Sequence, residues 1–180
     1  MSITLRTMLA AGAALLLASC GAMHHHHHGQ GAPGARALLE PTRGNATAGT
    51  VMFHAVDGGV LMHVRVSGLK PNQEHGFHVH EKGDCSSGDG MSTGGHFNPT
   101  GKPHGPPDAD HHAGDLPALK ADGQGRADVR LRLRGITLDQ GVVGIVGRGL
   151  IVHAQPDDYK TQPTGNSGAR IACAVIAAMP

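Results

Sequence analysis

The sequence predicts an all-β domain, a sandwich or barrel built from seven or eight short antiparallel strands. Apolar and polar residues alternate with period two over residues 60–67 and again over 127–134. Such alternation is typical of strands that bury one face. Turn sequences rich in Gly, Asp and Pro separate the apolar segments, and none of these segments repeats with a helical period.

Shorter apolar segments supply the remaining predicted strands. They are residues 37–39, 50–56, 77–81, 142–153 and 171–178. Two long stretches, residues 83–116 and 154–169, interrupt this rhythm, being rich in Gly, Pro and Asp and having no periodicity. Long irregular loops in a compact domain are usually functional, so we expect the chemistry of this chain to lie there.

The composition points to a metal and excludes a nucleic-acid partner. The chain of 180 residues has 15 His, as many as Lys and Arg together, and a net charge of +1. Imidazole is the commonest ligand of borderline-soft metals, so the excess of His favours metal binding. A net charge so close to zero does not fit a protein that binds nucleic acid.

The amino terminus has the pattern of an export signal. Arg6 is followed by ten residues, 8–17, that are almost entirely apolar. Ten residues are too few to cross a bilayer as a helix, which takes about 20, and they fit a signal peptide. The run ends in Leu17-Ala18-Ser19-Cys20, which resembles the bacterial lipobox. We therefore expect residues 1–19 to be a signal peptide cleaved before Cys20, with a lipid attached to Cys20.

This interpretation places the protein in the envelope of a Gram-negative bacterium, in the periplasm. Gly21, rather than Asp, resembles the pattern sorted to the outer membrane. The alternative for Cys20, an ordinary buried cysteine, does not explain small residues followed by Cys directly after an apolar run. Residues 20–35 then read as a flexible tether rich in His, Gly and Ala. Its tract His24–His28 is either a native metal-collecting segment, which we favour, or an expression tag.

Histidines concentrate in and beside the two long loops. His78 and His80 alternate in a predicted strand, so both imidazoles point to one face and can hold one metal ion. The further candidates, in chain order, are His96, His104, His112, Asp115 and His153. Six His and one Asp suffice for two metal sites that share a ligand.

Four motifs resemble those of the copper/zinc superoxide dismutases. They are Gly76-Phe-His-Val-His-Glu81, Gly95-His-Phe-Asn-Pro99, His112-Ala-Gly-Asp-Leu116 and Gly165-Asn-Ser-Gly-Ala-Arg-Ile-Ala-Cys173. They occur in the family's order, and the resemblance covers about residues 36–178. It implies an eight-stranded Greek-key β-barrel over residues 36–180. It also implies an enzyme that converts superoxide to O2 and hydrogen peroxide by alternate reduction and reoxidation of copper, with a structural zinc.

The resemblance also implies a role for each candidate residue. Copper would be bound by His78, His80, His96 and His153, and zinc by His96, His104, His112 and Asp115. His96 would bridge the metals and move a proton, and Arg170 would guide the superoxide anion. Asp157 would link a copper-ligand His to a zinc-ligand His, and Cys85 would pair with Cys173. The ligand types agree, because four nitrogens suit Cu(II) while three His and a carboxylate suit tetrahedral zinc.

Other interpretations stay open at this point. A relative of the dismutases could bind or deliver copper without turnover, although the complete ligand set and Arg170 argue against it. A zinc hydrolase would need an open zinc position, which four protein ligands do not leave. A purely structural lipoprotein would not explain the ligands. The sequence leaves open whether the protein is a monomer or a homodimer and which protein donates copper, and it predicts membrane contact only through the lipid at Cys20.

Overall fold

The computed structural model describes residues 34–180, and these residues form an antiparallel all-β fold. Cys20, the tract His24–His28 and the signal segment 1–19 lie outside the described residues. The strands of the described part are β1 Gly34–Pro41, β2 Ala48–Val56, β3 Gly59–Ser67, β4 Glu74–His75, β5 Phe77–His80, β6 Leu119–Lys120, β7 Ala127–Leu133, β8 Gly149–His153, β9 Arg170–Val175 and β10 Ala177–Ala178. A 3₁₀ turn spans Met91–Thr93. No helix within residues 34–180 is long and apolar enough to cross a membrane.

Eight of the strands make one sheet that curls into a half-barrel. Its hydrogen-bonded order is β5-β8-β9-β1-β2-β3-β7, with β10 pairing with the start of β1. The short strands β4 and β6 pair with each other, close to the edge strands because β4 directly precedes β5 and β6 leads into β7. The predicted fold class is therefore confirmed.

The core lies on the concave side of this sheet. In β3 the buried residues Val60, Met62, Val64 and Val66 alternate with more exposed ones, as the period-two pattern predicts. With few aromatic residues available, the core consists mainly of Val, Ile, Leu and Ala around Phe53 and Phe77. Burial of these apolar side chains is the main force that stabilises the folded sheet.

One predicted strand is much shorter than its apolar pattern suggests. Within residues 142–153 only Gly149–His153 is a strand. The preceding segment turns on itself, because Ile145 N–H donates to Thr137 O at 3.0 Å and Gly144 N–H to Gly141 O at 3.0 Å. Ile145 is still fully buried, so its apolar character serves the core without a strand. The predicted last strand is also divided, since Ile176 N–H leaves the sheet to bond Arg148 O at 2.9 Å.

Candidate metal centre

The edge strand β5 presents two histidines to the long loop that covers it. Phe77 and Val79 point into the core, so His78 and His80 share the opposite face, and all four residues are buried. The loop pairs its own backbone with the strand, because Val79 N–H donates to Gly114 O at 2.9 Å and Val79 O accepts from Phe97 N–H at 2.8 Å. The loop of residues 83–116 is therefore positioned by the edge strand, which also holds two of the candidate ligands.

The other candidate ligands converge on the same place from three segments. His96, His104, His112 and Asp115 come from the loop, and His153 ends β8 next to a bulge. In one group, the ligand atoms of His78, His80, His96 and His153 all lie within 4.8 Å of one another. In a second group the same holds for His96, His104, His112 and Asp115. His96 belongs to both groups, as expected from the sequence.

The first group has the hydrogen bonds that a metal site requires. One nitrogen of each ring is held by a protein oxygen: His78 Nε2 by Asp157 Oδ2 at 2.6 Å, His80 Nδ1 by Gly94 O at 3.0 Å, His96 Nδ1 by Asp115 Oδ1 at 2.8 Å and His153 Nδ1 by Gly168 O at 3.2 Å. The other nitrogen of each ring is buried and has no hydrogen-bond partner in the protein. An unsatisfied buried polar atom costs about 1–3 kcal/mol, so four that converge on one point fit a bound cation.

The second group surrounds a buried carboxylate. The Nδ1 atoms of His96 and His112 lie 2.8 Å and 3.2 Å from Asp115 Oδ1, and His104 Nδ1 lies 3.0 Å from Oδ2. Backbone N–H groups of Gly105 and His112 also donate to Oδ2. Three imidazoles and one carboxylate, all buried, match the ligand set of a closed tetrahedral zinc site.

Burial keeps three imidazoles of the first group neutral, those of His78, His80 and His153. It lowers the pKa of His78 to about 4, although the hydrogen bond that His78 donates to Asp157 acts in the opposite direction. Burial also lowers the pKa of His80 far below its usual range, helped by the charge of Arg170. The pKa of His153 is lowered as well, by burial and then by the nearby His78. Since a metal binds the neutral imidazole, these rings are ready to act as ligands near neutral pH.

The carboxylate of the second group stays ionised. Burial alone would raise the pKa of Asp115, but the hydrogen bonds with His104 and His96 hold it well below its usual range. His104 lies between two carboxylates, and although burial opposes the shift, Asp115 and Asp157 raise its pKa to about 9. The buried negative charge that favours protonated His104 would also favour a divalent cation in its place.

Asp157 joins the two groups without belonging to either. Its Oδ2 is bonded to His78 Nε2 at 2.6 Å and its Oδ1 to His104 Nε2 at 2.9 Å. Gly165 packs against this carboxylate so tightly that a Cβ there would overlap Oδ1, and its φ of +62° also disfavours other residues. The structure thus places Asp157 between one ligand of each predicted metal, where the resemblance placed it.

Arg170 is fixed at the rim of the first group. It begins β9 opposite His153, and its guanidinium donates to Gly90 O at 2.7 Å, Thr93 Oγ1 at 2.8 Å and Gly94 O at 2.8 Å. All three acceptors are uncharged, so these bonds hold the guanidinium in place without neutralising it. The side chain is half-buried beside His80 and lowers the pKa of that imidazole.

The loop that holds Arg170 is tied covalently to β9. Cys85 and Cys173 form a disulfide with an S–S distance of 2.05 Å, as the resemblance implied. The bridge joins positions 88 residues apart and lies three residues beyond Arg170. It therefore fixes the loop carbonyls and the strand that carries the guanidinium relative to each other.

Two further contributors to the site were not identified as such from sequence. Gly94 O accepts hydrogen bonds from both His80 Nδ1 and Arg170 Nη2, which a backbone carbonyl does without any side-chain signature. The second contributor is His75, which lies shortly before the ligand strand. In the structure its Nδ1 bonds the carbonyl oxygen of His153 at 2.8 Å, so it supports a candidate ligand directly.

The fold and the site define a β-barrel protein with two adjacent metal-binding groups that share one histidine. Residues 47–176 match the family described as copper/zinc superoxide dismutase. The chain belongs to the copper/zinc superoxide dismutase family.

Relatives and solved structures agree with this assignment. Superoxide dismutase [Cu-Zn] 2 of Aquifex aeolicus is 40% identical over 147 residues, covering 79% of this chain and 85% of that protein. The extracellular superoxide dismutase [Cu-Zn] of Drosophila melanogaster is 44% identical over 150 residues, covering 77% of this chain and 81% of the relative. The crystal structure of a dismutase-like protein from Bacillus subtilis has a TM-score of 0.72 at 39% identity, over 80% of this chain and 99% of that one.

Proposed function

We propose that this protein is an active copper/zinc superoxide dismutase that converts two superoxide anions and two protons to O2 and hydrogen peroxide. The observation that carries the proposal is the set of four buried, unpartnered ring nitrogens that converge on one point. His78, His80, His96 and His153 would hold copper there, and His96, His104, His112 and Asp115 would hold zinc. When bound, copper supplies a one-electron couple that oxidises one superoxide and reduces the next, while zinc, which has no redox chemistry, holds its ligands in place.

Residues of the chain would attract the superoxide anion to the first group and supply one of the two protons. Arg170 presents a fixed positive charge beside the first group and would draw the substrate anion towards it. His96 is the natural carrier of one proton, because its Nε2 has no protein partner while Nδ1 faces Asp115. Nε2 would take up a proton in one half of the cycle and release it to the reduced substrate in the other. The second proton would come from solvent.

A copper-binding protein without turnover is the second candidate. The similarity to proteins described as superoxide dismutase-like, one of them 38% identical, is the observation in its favour. Arg170 favours turnover instead, because a guanidinium held by three uncharged acceptors keeps its positive charge beside the site and suits an anionic substrate. The two candidates differ in whether the metal-loaded protein removes superoxide.

Metal analysis together with superoxide removal tests the proposal. We expect the purified chain to bind one copper and one zinc and to remove superoxide in a cyanide-sensitive reaction. His153→Ala should lose copper and activity, since it removes one of four ligands. His63→Ala is the matched control, because His63 lies on the outer side of β3 bonded to Asp128 and should leave both unchanged. A chain that retains both metals but does not remove superoxide would support the second candidate instead.

We propose that the protein is exported to the periplasm of a Gram-negative bacterium and held at the outer membrane by a lipid on Cys20. The lipobox-like sequence Leu17-Ala18-Ser19-Cys20 supports the lipid anchor. The disulfide supports an oxidising compartment, since such bonds are rare in the cytosol. This assignment leaves Cys20 as the one cysteine outside the bridge.

Replacement of Cys20 tests the lipid anchor. Cells expressing the wild-type chain should incorporate labelled fatty acid into it, and Cys20→Ala should abolish the labelling because the thiol is the acylation site. The double variant Cys85→Ala/Cys173→Ala is the control, and it should keep the label. Labelling of Cys20→Ala at the wild-type level would contradict the lipobox interpretation.

A further inference from the structure

One face of the sheet, on strands that carry none of the candidate metal ligands, has a surplus of arginine. Strands β1, β2, β3 and β7 point alternate residues outward, and pairing aligns these in three cross-strand rows. The rows are Arg36–Met52–His63–Arg130, Leu38–Thr50–Arg65–Asp128 and Gly34–His54–Leu61–Arg132. We call this set of residues the outer arginine face.

The charge of the outer arginine face is local and is not balanced within it. Its rows hold four Arg and one carboxylate, Asp128, and Glu40, the next outward residue of β1, adds a second carboxylate at the border of the face, so arginines outnumber carboxylates there by two to one. Asp128 is already engaged by His63 at 2.8 Å and Arg65 at 3.6 Å. Since the whole chain has a net charge of only +1, this excess is a feature of one surface. A surface of this kind attracts a dense array of anions.

Apolar side chains interleave with the arginines. Leu38 is 53% exposed and Leu61 is 39% exposed, and Met52 lies half-buried between Arg36 and His63. A soluble polyanion has no use for exposed leucines, and single-stranded nucleic acid would use aromatic platforms, which these rows lack. Arginine stems combined with apolar side chains instead suit the boundary between lipid headgroups and acyl chains.

The short distance along the chain between Cys20 and strand β1 also favours a membrane as the partner of this face. Strand β1 begins at Gly34, which occupies the first position of one row. Only residues 21–33 separate it from Cys20. Even fully extended, a segment of that length spans at most about 45 Å. A lipid on Cys20 would therefore keep the outer arginine face close to a bilayer surface.

We propose that the outer arginine face binds the anionic phospholipid headgroups of a bilayer. It would be a second membrane contact, beyond the lipid anchor. Of the four strands that form the face, none carries a ligand of the two metal-binding groups, which come from β5, β8 and the loop of residues 83–116. Membrane binding through this face would leave the histidine site uncovered. The proposal does not depend on dismutase activity, and the headgroup contact does not require the acyl chain.

Vesicle binding tests the proposal with the full-length chain. Cys20→Ala is introduced so that no acyl chain contributes, and the apolar residues 8–17 are then the same in every sample. Co-sedimentation is compared between vesicles of phosphatidylcholine alone and vesicles with about one third phosphatidylglycerol. We expect about tenfold or more tighter binding to the anionic vesicles at low salt, with the excess lost at about 0.5 M salt.

Charge reversal assigns the binding to the face. Arg36→Glu/Arg130→Glu should remove the preference for anionic vesicles, and Arg36→Gln/Arg130→Gln should reduce it if the reversed variant does not fold. Lys82→Glu/Lys120→Glu changes the net charge equally at exposed sites outside the face and should keep the preference. Equal binding to both kinds of vesicle, or equal losses in the two reversed variants, would overturn the proposal. So would tight binding of soluble polyphosphate without any preference for anionic vesicles.

Discussion

Arg170→Ile should keep both metals and the fold, yet lower the second-order rate of superoxide removal about tenfold or more. That loss corresponds to about 1.4 kcal/mol of transition-state stabilisation. The reason is the charge distribution, because a chain with a net charge of +1 does not attract a small anion from a distance. Attraction has to come from a local charge, and Arg170 is held beside His80 and His153 by three uncharged acceptors.

Salt dependence and two further variants separate this role from a structural one. The residual rate of Arg170→Ile should depend less steeply on ionic strength, since less fixed charge is left to screen. Arg170→Lys should retain part of the rate, because the charge survives while the forked hydrogen-bond geometry does not. Arg36→Ile loses the same charge on the outer sheet face and should leave the rate unchanged. A metal-replete Arg170→Ile protein with the wild-type rate and salt slope would remove Arg170 from the mechanism.

The fold was predictable where burial alone decided the structure. In β3 and β7 the alternation of apolar residues sets which face is buried, and both strands lie within two residues of their predicted bounds. The strand predicted over residues 142–148 was wrong. Ile145 is buried within a turn, and apolar character alone does not distinguish a buried turn from a strand. The two-residue strands β4 and β6 are too short to produce any period.

The site was predictable to the extent that it depends on side-chain identity. The ligand histidines and Asp115 carry their chemistry in the sequence, and their motifs fix which of the 15 His matter. The hydrogen bonds that orient these ligands could be predicted less well from the sequence. Gly94, Gly168 and Gly90 act through backbone carbonyls, which every residue has, so only the folded loop shows which carbonyls face His80, His153 and Arg170.

Two hydrogen bonds to ligand histidines make Asp157 a position outside the ligand set where a substitution should weaken metal binding. As a carboxylate it accepts a hydrogen bond from His78 Nε2 through one oxygen and another from His104 Nε2 through the other, at 2.6 Å and 2.9 Å. In the neutral form that a metal ion binds, both rings are thereby held in the tautomer whose Nδ1 is free of a proton, and Nδ1 is the atom that each directs at its metal-binding group. One residue thus sets the protonation of a ligand in each group.

Asp157→Asn should therefore lower the affinity for copper or zinc by about 10–100-fold. An amide accepts through its oxygen but donates through its NH2, so it can serve only one of the two histidines. The other is driven to the tautomer with a proton on Nδ1, where the metal has to bind. Competition with a chelator, followed for both metals, measures the effect. Asp158→Asn is the control, because it removes the same charge at the adjacent residue. The Asp158 carboxylate bonds only Lys160 and Thr161, so this variant should release neither metal. If Asp157→Asn holds copper and zinc as tightly as Asp158→Asn, the carboxylate does not set the ligand tautomers.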